Sequence, residues 1–221
     1  MADRMSTLDW ILRCGMAAVI RAKSSDHLMQ VADAIKEGGI DVIEVTMTTP
    51  DALKVIEETS SKYGDDVLIG VGTVLDAETC RLAILAGAEF IVGPCLDRPM
   101  MEMAHRYDKL VMPGAFTPTE IKTAWDWGAD LVKVFPADVA GPTYFKDILG
   151  PLPQIRMVPT GGVNLDTAAD FLKAGAVALC AGSALVDKKA VAEGRFDVVT
   201  DTARKFREII DQAREEMAAE K

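Results

Sequence analysis

Basic residues are in the minority: 24 lysines and arginines stand against 34 acidic residues, a formal charge of -10. The chain therefore lacks the positive footprint that a nucleic-acid backbone or an anionic membrane attracts, and neither is expected as a partner. Long apolar runs are missing too. The longest charge-free stretch, Ala174 to Val186, has 13 residues and is interrupted by Gly175, Gly182 and Ser183, short of the roughly 18 that a membrane-spanning helix takes. Asp3, Arg4, Asp9 and Arg13 stand where a secretory leader needs its apolar core, so a cytoplasmic protein is expected. Histidine is reduced to His27 and His105. Neither has a second histidine at i+4 or a cysteine beside it, so both read as surface or helix-end residues and no metal is expected. The four cysteines, Cys14, Cys80, Cys95 and Cys180, show no C-x-x-C spacing and lie in or beside apolar segments. They read as reduced packing residues, not as a disulfide frame. Linkers, low-complexity tracts and breaks in composition are absent, which leaves residues 1–221 as one domain with 49% hydrophobic residues to build its core.

What is present alternates. Apolar runs fall at Met16 to Ile20, Val42 to Val45, Val67 to Val71, Phe90 to Val92, Leu110 to Met112, Leu131 to Phe135, Met157 to Val158 and Ala178 to Ala181, with starts 20 to 26 residues apart. The segments between most of them have helical spacing: His27 to Lys36, Asp51 to Tyr63, Ala77 to Ala86, Pro99 to Tyr107, Pro118 to Trp127 and Thr167 to Ala174. The sixth connector, Thr143 to Leu149, carries the weakest signal. Glycine stops close several helices, at Gly38-Gly39, Gly87-Ala88, Gly128-Ala129 and Gly175-Ala176. A lead-in helix is predicted over Met5 to Cys14, with Ser6 or Thr7 as its cap, and a final helix over Arg204 to Lys221. Eight strand-helix units in this length describe a (β/α)8 barrel of the TIM type. A doubly wound open sheet is the competitor, but it would more often carry a glycine-rich fingerprint after the first strand, where Arg21-Ala22-Lys23 stands instead.

One lysine interrupts the apolar run Asp130-Leu131-Val132-Lys133-Val134-Phe135-Pro136. An ammonium is rarely buried without a partner, burial disfavours its charged form, and a neutral amine is a nucleophile that forms Schiff bases with carbonyl compounds. Lys133 is thus a candidate nucleophile; a structural lysine paired with an aspartate, or snorkelling to the strand end, is the other reading. Barrel enzymes place their chemistry at the C-terminal ends of the strands. There the sequence offers Glu44 in Glu44-Val45-Thr46, Thr73 after Gly72, Pro94 after Gly93, and Phe135. Side chains alternate along a strand, so Leu131, Lys133 and Phe135 share one face and Val42, Glu44 and Thr46 another. If both faces point inward, Glu44 enters the same cavity as Lys133, either as a structural ion partner or as a proton shuttle. Thr160-Gly161-Gly162-Val163 and Gly182-Ser183 follow the seventh and eighth strands, where such enzymes often hold a phosphate on backbone N-H groups. The bland alternative for Gly161-Gly162 is a tight turn.

Ile43-Glu44-Val45-Thr46, Gly70-Val71-Gly72-Thr73-Val74, Pro113-Gly114, Lys133-Val134-Phe135-Pro136-Ala137, Val158-Pro159-Thr160-Gly161-Gly162-Val163 and Gly182-Ser183 together resemble the 2-keto-3-deoxy-6-phosphogluconate / 4-hydroxy-2-oxoglutarate aldolase family. The likeness runs in order over nearly the whole chain. It implies a homotrimeric (β/α)8 protein and a class I aldolase that needs neither metal nor cofactor and acts on a small phosphorylated keto acid. Lys133 would form the Schiff base and Glu44 would be the general acid/base. Thr73 would contact the pyruvyl portion, Pro94 and Phe135 would wall it, and Thr160, Gly161, Gly162, Gly182 and Ser183 would hold the phosphate. One position departs from the pattern. Where many members carry an arginine two residues after E-V-T, this chain has Thr48; other relatives place an arginine at the end of the first strand, as in Val19-Ile20-Arg21-Ala22, so Arg21 would bind the carboxylate. The resemblance leaves the galactonate-series and hydroxy-oxoglutarate aldolases as alternatives, with Thr160 favouring the gluconate series. A phosphate-binding barrel isomerase or epimerase, with Lys133 only electrostatic, is the reading from another reaction class.

Overall fold

The computed structural model describes residues 3–21 and 25–219; Ala22 and Lys23 of the run after the first strand, and Glu220 and Lys221 of the predicted final helix, lie outside them. Helix α1 (Arg4–Cys14) precedes strand β1 (Met16–Ile20). The chain continues through α2 (Ser25–Glu37), β2 (Val42–Thr46), α3 (Ala52–Tyr63), β3 (Leu68–Gly72), α4 (Ala77–Leu85), β4 (Phe90–Val92), α5 (Arg98–Arg106), β5 (Leu110–Met112) and β6 (Gly114–Ala115). It ends with α6 (Pro118–Asp126), β7 (Val132–Val134), α7 (Ala137–Leu149), β8 (Met157–Pro159), α8 (Ala168–Lys173), β9 (Leu179–Ala181), α9 (Lys188–Ala192) and α10 (Phe196–Ala219).

Every strand pairing is parallel, and the strands are buried along their full length, as expected where helices cover the outer face. Six strands form one sheet in the order β5-β4-β3-β2-β1-β9, and three form another in the order β6-β7-β8. The eight predicted strands become nine because Pro113, which has no N-H to donate, separates β5 from β6. A parallel bridge between Thr160 and Cys180 links β8 to β9. The regular structure is therefore an α/β fold of two parallel sheets, not one uninterrupted ring.

Helix starts follow local chemistry. Asp76, Asp97 and Asp187 each accept a backbone N-H of the first turn, and Thr117 with Glu120 makes a reciprocal capping box. The cap of α1 is Asp3, which accepts from Ser6 N at 2.7 Å, so Ser6 and Thr7 lie inside the helix instead of capping it. Helix α7 breaks at Gly141, where φ is 71°, just before Pro142; this is why its connector read so weakly. Helix α10 begins well before Arg204, because Val199, Ala203, Phe206 and Ile210 already make a buried stripe at helical spacing. Phe90, Phe145, Phe171 and Phe206 are among the largest fully buried side chains, each burial contributing about 1.5–3 kcal/mol before entropy is counted. Of the cysteines, Cys14, Cys80 and Cys180 are buried and Cys95 is exposed, so the packing role fails for Cys95, which sits on the turn after β4.

Below the N-terminal ends of the strands, charges are paired. Lys109 Nζ meets Glu89 at 2.5 Å, and Arg4 Nε meets Asp130 at 2.6 Å while the second Asp130 oxygen accepts Val111 N. Arg214 donates to the carbonyls of Arg13 and Leu12, tying α10 to the end of α1. Among the described residues no helix is long and apolar enough to cross a membrane.

Candidate active site

Glu44 lies mid-strand in β2, beside Val19 of β1 and Gly70 of β3, and is 1% exposed. Lys133 lies mid-strand in β7, between Gly114 and Val158, and is 6% exposed. Both charged residues are thus buried on strands whose other positions are buried as well. No ion pair within 4.0 Å forms at Lys133 among the described residues, and its Nζ stands 5.3 Å from the centre of the Phe135 ring. Such a contact is a cation-π attraction when the amine is charged and apolar packing when it is not.

Glu44 ionises with difficulty. Burial pushes its carboxyl above the ordinary range, and the charges of Lys133 and, more weakly, Arg21 pull it back only in part. Its Oε2 has no hydrogen-bond partner among the described residues, and the same holds for Thr160 Oγ1. Leaving a buried carboxyl oxygen unpaired costs about 1–3 kcal/mol, so Glu44 is held there at some expense to stability. Cys180 shares the neighbourhood: burial and then the charge of Glu44 push its thiol up to about 12, against the opposing pull of Lys133. It stays a protonated, inert thiol.

A cavity of about 220 Å³ opens at the C-terminal ends of β1, β7, β8 and β9; Glu44 and Lys133 themselves lie outside its lining. Arg21, Phe135, Thr160, Gly161, Gly162, Gly182 and Ser183 all line it, together with Val19, Val163 and Ala184. Gly161 and Gly162 have φ of 91° and 73°, a left-handed conformation that glycine adopts without steric cost. A Cβ on Gly162 would also fall 2.5 Å from Asp138 Cβ and 2.9 Å from its Cα. The glycine pair thus makes a tight turn, the bland reading, and also presents its backbone to the cavity. Pro94 and Thr73 sit on neighbouring strand ends, outside that lining. Pro94 packs on β6, where a Cβ on Gly114 would lie 2.3 Å from the Pro94 carbonyl. Thr73 is half-buried with φ of 61°, uncommon for a β-branched residue and worth about 1–3 kcal/mol of strain. His105 lies in the last turn of α5 and His27 bonds the Val191 carbonyl; neither lines the cavity. Among the described residues no cluster of three histidine, cysteine or acidic side chains is arranged to hold a metal.

The sequence model of the KDPG and KHG aldolases matches residues 9–202. The chain belongs to this family. The 2-dehydro-3-deoxy-phosphogluconate aldolase of Haemophilus influenzae is 33% identical over 194 residues, which cover 87% of this chain and 90% of that one. The 2-dehydro-3-deoxy-6-phosphogalactonate aldolase of Escherichia coli is 32% identical over 179 residues, covering 80% and 85%. Among solved structures, the KDPG aldolase of Legionella pneumophila, with pyruvate captured at low pH as a covalent carbinolamine intermediate, superposes with a TM-score of 0.83 at 28% identity, covering 90% of this chain and 96% of that one. The family membership agrees with the resemblance seen in the motifs around Glu44, Gly72, Lys133, Gly161 and Gly182.

Sequence reasoning missed Gly72 as more than a motif letter, while its reading of Cys180 as a reduced packing residue fits the buried thiol. Gly72 was signalled by glycine recurring at alternate positions of a β-branched strand.

Proposed function

We propose that this chain is a class I aldolase that cleaves 2-keto-3-deoxy-6-phosphogluconate to pyruvate and glyceraldehyde 3-phosphate. The observation that carries this reading is the burial of Lys133 and Glu44 on separate strands of the parallel sheets, close enough for the charge of one to act on the other. The neutral amine of Lys133 adds to the C2 ketone, and the carbinolamine loses water to give a cationic imine. Glu44 as carboxylate takes the C4 hydroxyl proton, directly or through one water. The C3-C4 bonding electrons flow into the imine, the phosphorylated aldehyde leaves, and an enamine remains. Protonation at C3 and hydrolysis then release pyruvate and the amine. A carbinolamine is an adduct of an amine with a carbonyl, so the pyruvate adduct of the Legionella pneumophila relative supports an amine nucleophile here.

In this reading Arg21 holds the substrate carboxylate with a bidentate guanidinium. Thr73, Pro94 and Phe135 enclose the pyruvyl part, and Thr160, Gly161, Gly162, Gly182 and Ser183 take the phosphate, supported by their common cavity for all but Thr73 and Pro94. The 32% identity to a galactonate-series aldolase favours, as a second reading, the C4 epimer of the same substrate. The architecture is a single closed (β/α)8 domain, supported by the one-residue gap, Pro113, between β5 of one sheet and β6 of the other and by the Thr160 bridge to Cys180. Homotrimer assembly follows the family resemblance and is supported by the exposed Leu75, Leu82 and Leu85 on and beside α4. A cytoplasmic location is supported by four unpaired cysteines. Pyruvate with borohydride, followed by mass spectrometry, tests the reading: an adduct on Lys133 is expected. An adduct on another lysine, or none in an active preparation, would sink it.

A further inference from the structure

Strand β3 carries glycine at two positions of one face, Gly70 and Gly72, both buried. A Cβ on Gly70 would lie 2.4 Å from the Phe90 ring. A Cβ on Gly72 would instead lie 1.7 Å from Glu44 Oε1, 2.4 Å from Cδ and 2.8 Å from Cγ. Gly72 is not among the positive-φ glycines, so an alanine could adopt its backbone. What this position contributes is the missing Cβ alone. Glu44 is registered with Gly70 and Thr46 with Gly72, so the Glu44 side chain leans along the sheet and its carboxyl end lies across the bare backbone of residue 72. Glu44 Oε2 has no hydrogen-bond partner among the described residues. Shape, in place of a hydrogen bond at that oxygen, holds the group.

Building on the aldolase reading, we propose that Gly72 is a positioning residue: its missing side chain forms the slot in which the Glu44 carboxyl rests, and so sets where that carboxyl meets the substrate on Lys133. The nearest atoms a methyl group at residue 72 meets belong to the Glu44 side chain, not to backbone, so its cost falls on the placement of that carboxyl.

A double-mutant cycle in kcat separates this from a packing role, because groups acting through one another are non-additive. Gly72→Ala is expected to lower kcat by about tenfold or more in the wild-type background and by less than about twofold in the Glu44→Gln background, where the proton shuttle is already lost. Adding Glu44→Asp to Gly72→Ala should recover part of the loss, because a carboxylate one methylene shorter removes the closest approach, that of Oε1 at 1.7 Å. Gly70→Ala, which meets Phe90, should lower kcat equally in both backgrounds. Equal losses from Gly72→Ala in both backgrounds, or no loss in either, would overturn the inference. If Gly72→Ala does not fold, folding of Gly72→Ala/Glu44→Asp supports the clash with the carboxyl, and failure of both overturns it. Borohydride trapping in each variant keeps the two levels apart. Trapping on Lys133 with additive losses removes only the role of Gly72, whereas no wild-type adduct on Lys133 removes the aldolase reading as well.

Discussion

Lys109 and Lys133 are equally buried, at 6% exposure each, yet they stand in opposite electrostatic settings. Lys109, just before β5, is closed by Glu89 at 2.5 Å. Lys133, in the middle of β7, has a buried carboxylate in its neighbourhood but no ion pair within 4.0 Å among the described residues. A closed pair satisfies both charges and leaves neither free to react. An open arrangement sacrifices that satisfaction and keeps an amine and a carboxylate available for a third party. On the N-terminal side of the sheets Arg4 is likewise closed by Asp130, whereas on the C-terminal side Glu44 Oε2 has no hydrogen-bond partner among the described residues.

The contrast breaks most sharply at the lysines. Lys133→Arg should abolish both turnover and the borohydride adduct, because a guanidinium stays charged, while Lys109→Met should leave activity per folded molecule intact. The cost of Lys109→Met falls on stability, about 3–5 kcal/mol from the stranded Glu89, and Lys109→Met/Glu89→Leu should recover most of it. Denaturant titration alongside kinetics reads both; loss of activity in folded Lys109→Met would dissolve the distinction.

Glu44→Gln comes next, with kcat expected to fall about 100-fold to 10,000-fold while trapping survives. The pH dependence has a definite sign. Burial raises the Glu44 carboxyl in the folded protein, and the reaction needs it ionised, so kcat should decline on the acid side at a pH above the ordinary carboxyl range. Because the folded state binds this proton more tightly than the unfolded one, its stabilising effect is full below about pH 4.3 and is lost as pH rises through the raised value. Melting curves of wild type and Glu44→Gln should therefore draw apart in favour of the variant across that window. Parallel curves would mean the carboxyl is not perturbed.

Smaller effects are expected at the rim. Gly162→Val meets both the positive φ and the Asp138 backbone, and should raise KM for phosphorylated substrates more than for unphosphorylated ones. Arg21→Lys keeps the charge but loses the fork, and should raise KM with little change in kcat. Unchanged KM in Arg21→Ala would assign the carboxylate elsewhere.

The strand and helix order was legible because buried parallel strands read as unbroken apolar runs, and a charged residue inside one stands out; Lys133 and Glu44 were found that way. Sequence periodicity could not show that Pro113 splits a strand, or that Asp3 caps α1 one turn ahead of the apolar stripe. Nor could it show that the equally buried Lys109 is closed by Glu89 while Lys133 is not, since only the third dimension reveals which carboxylate is near. Gly72 was hidden for a similar reason: an absent side chain has meaning only beside the neighbour that occupies its space.

The arginines of α10 have a consequence for biosynthesis. Arg214 donates to the carbonyl of Arg13, 201 residues earlier, and β1 pairs with β9 as well as β2. Strand β1 must therefore wait for β9, the last of the nine strands, with that edge open until β9 is made. Contacts so distant in sequence slow folding and prolong that exposure, so the nascent chain, more than the finished enzyme, is the form most prone to aggregate.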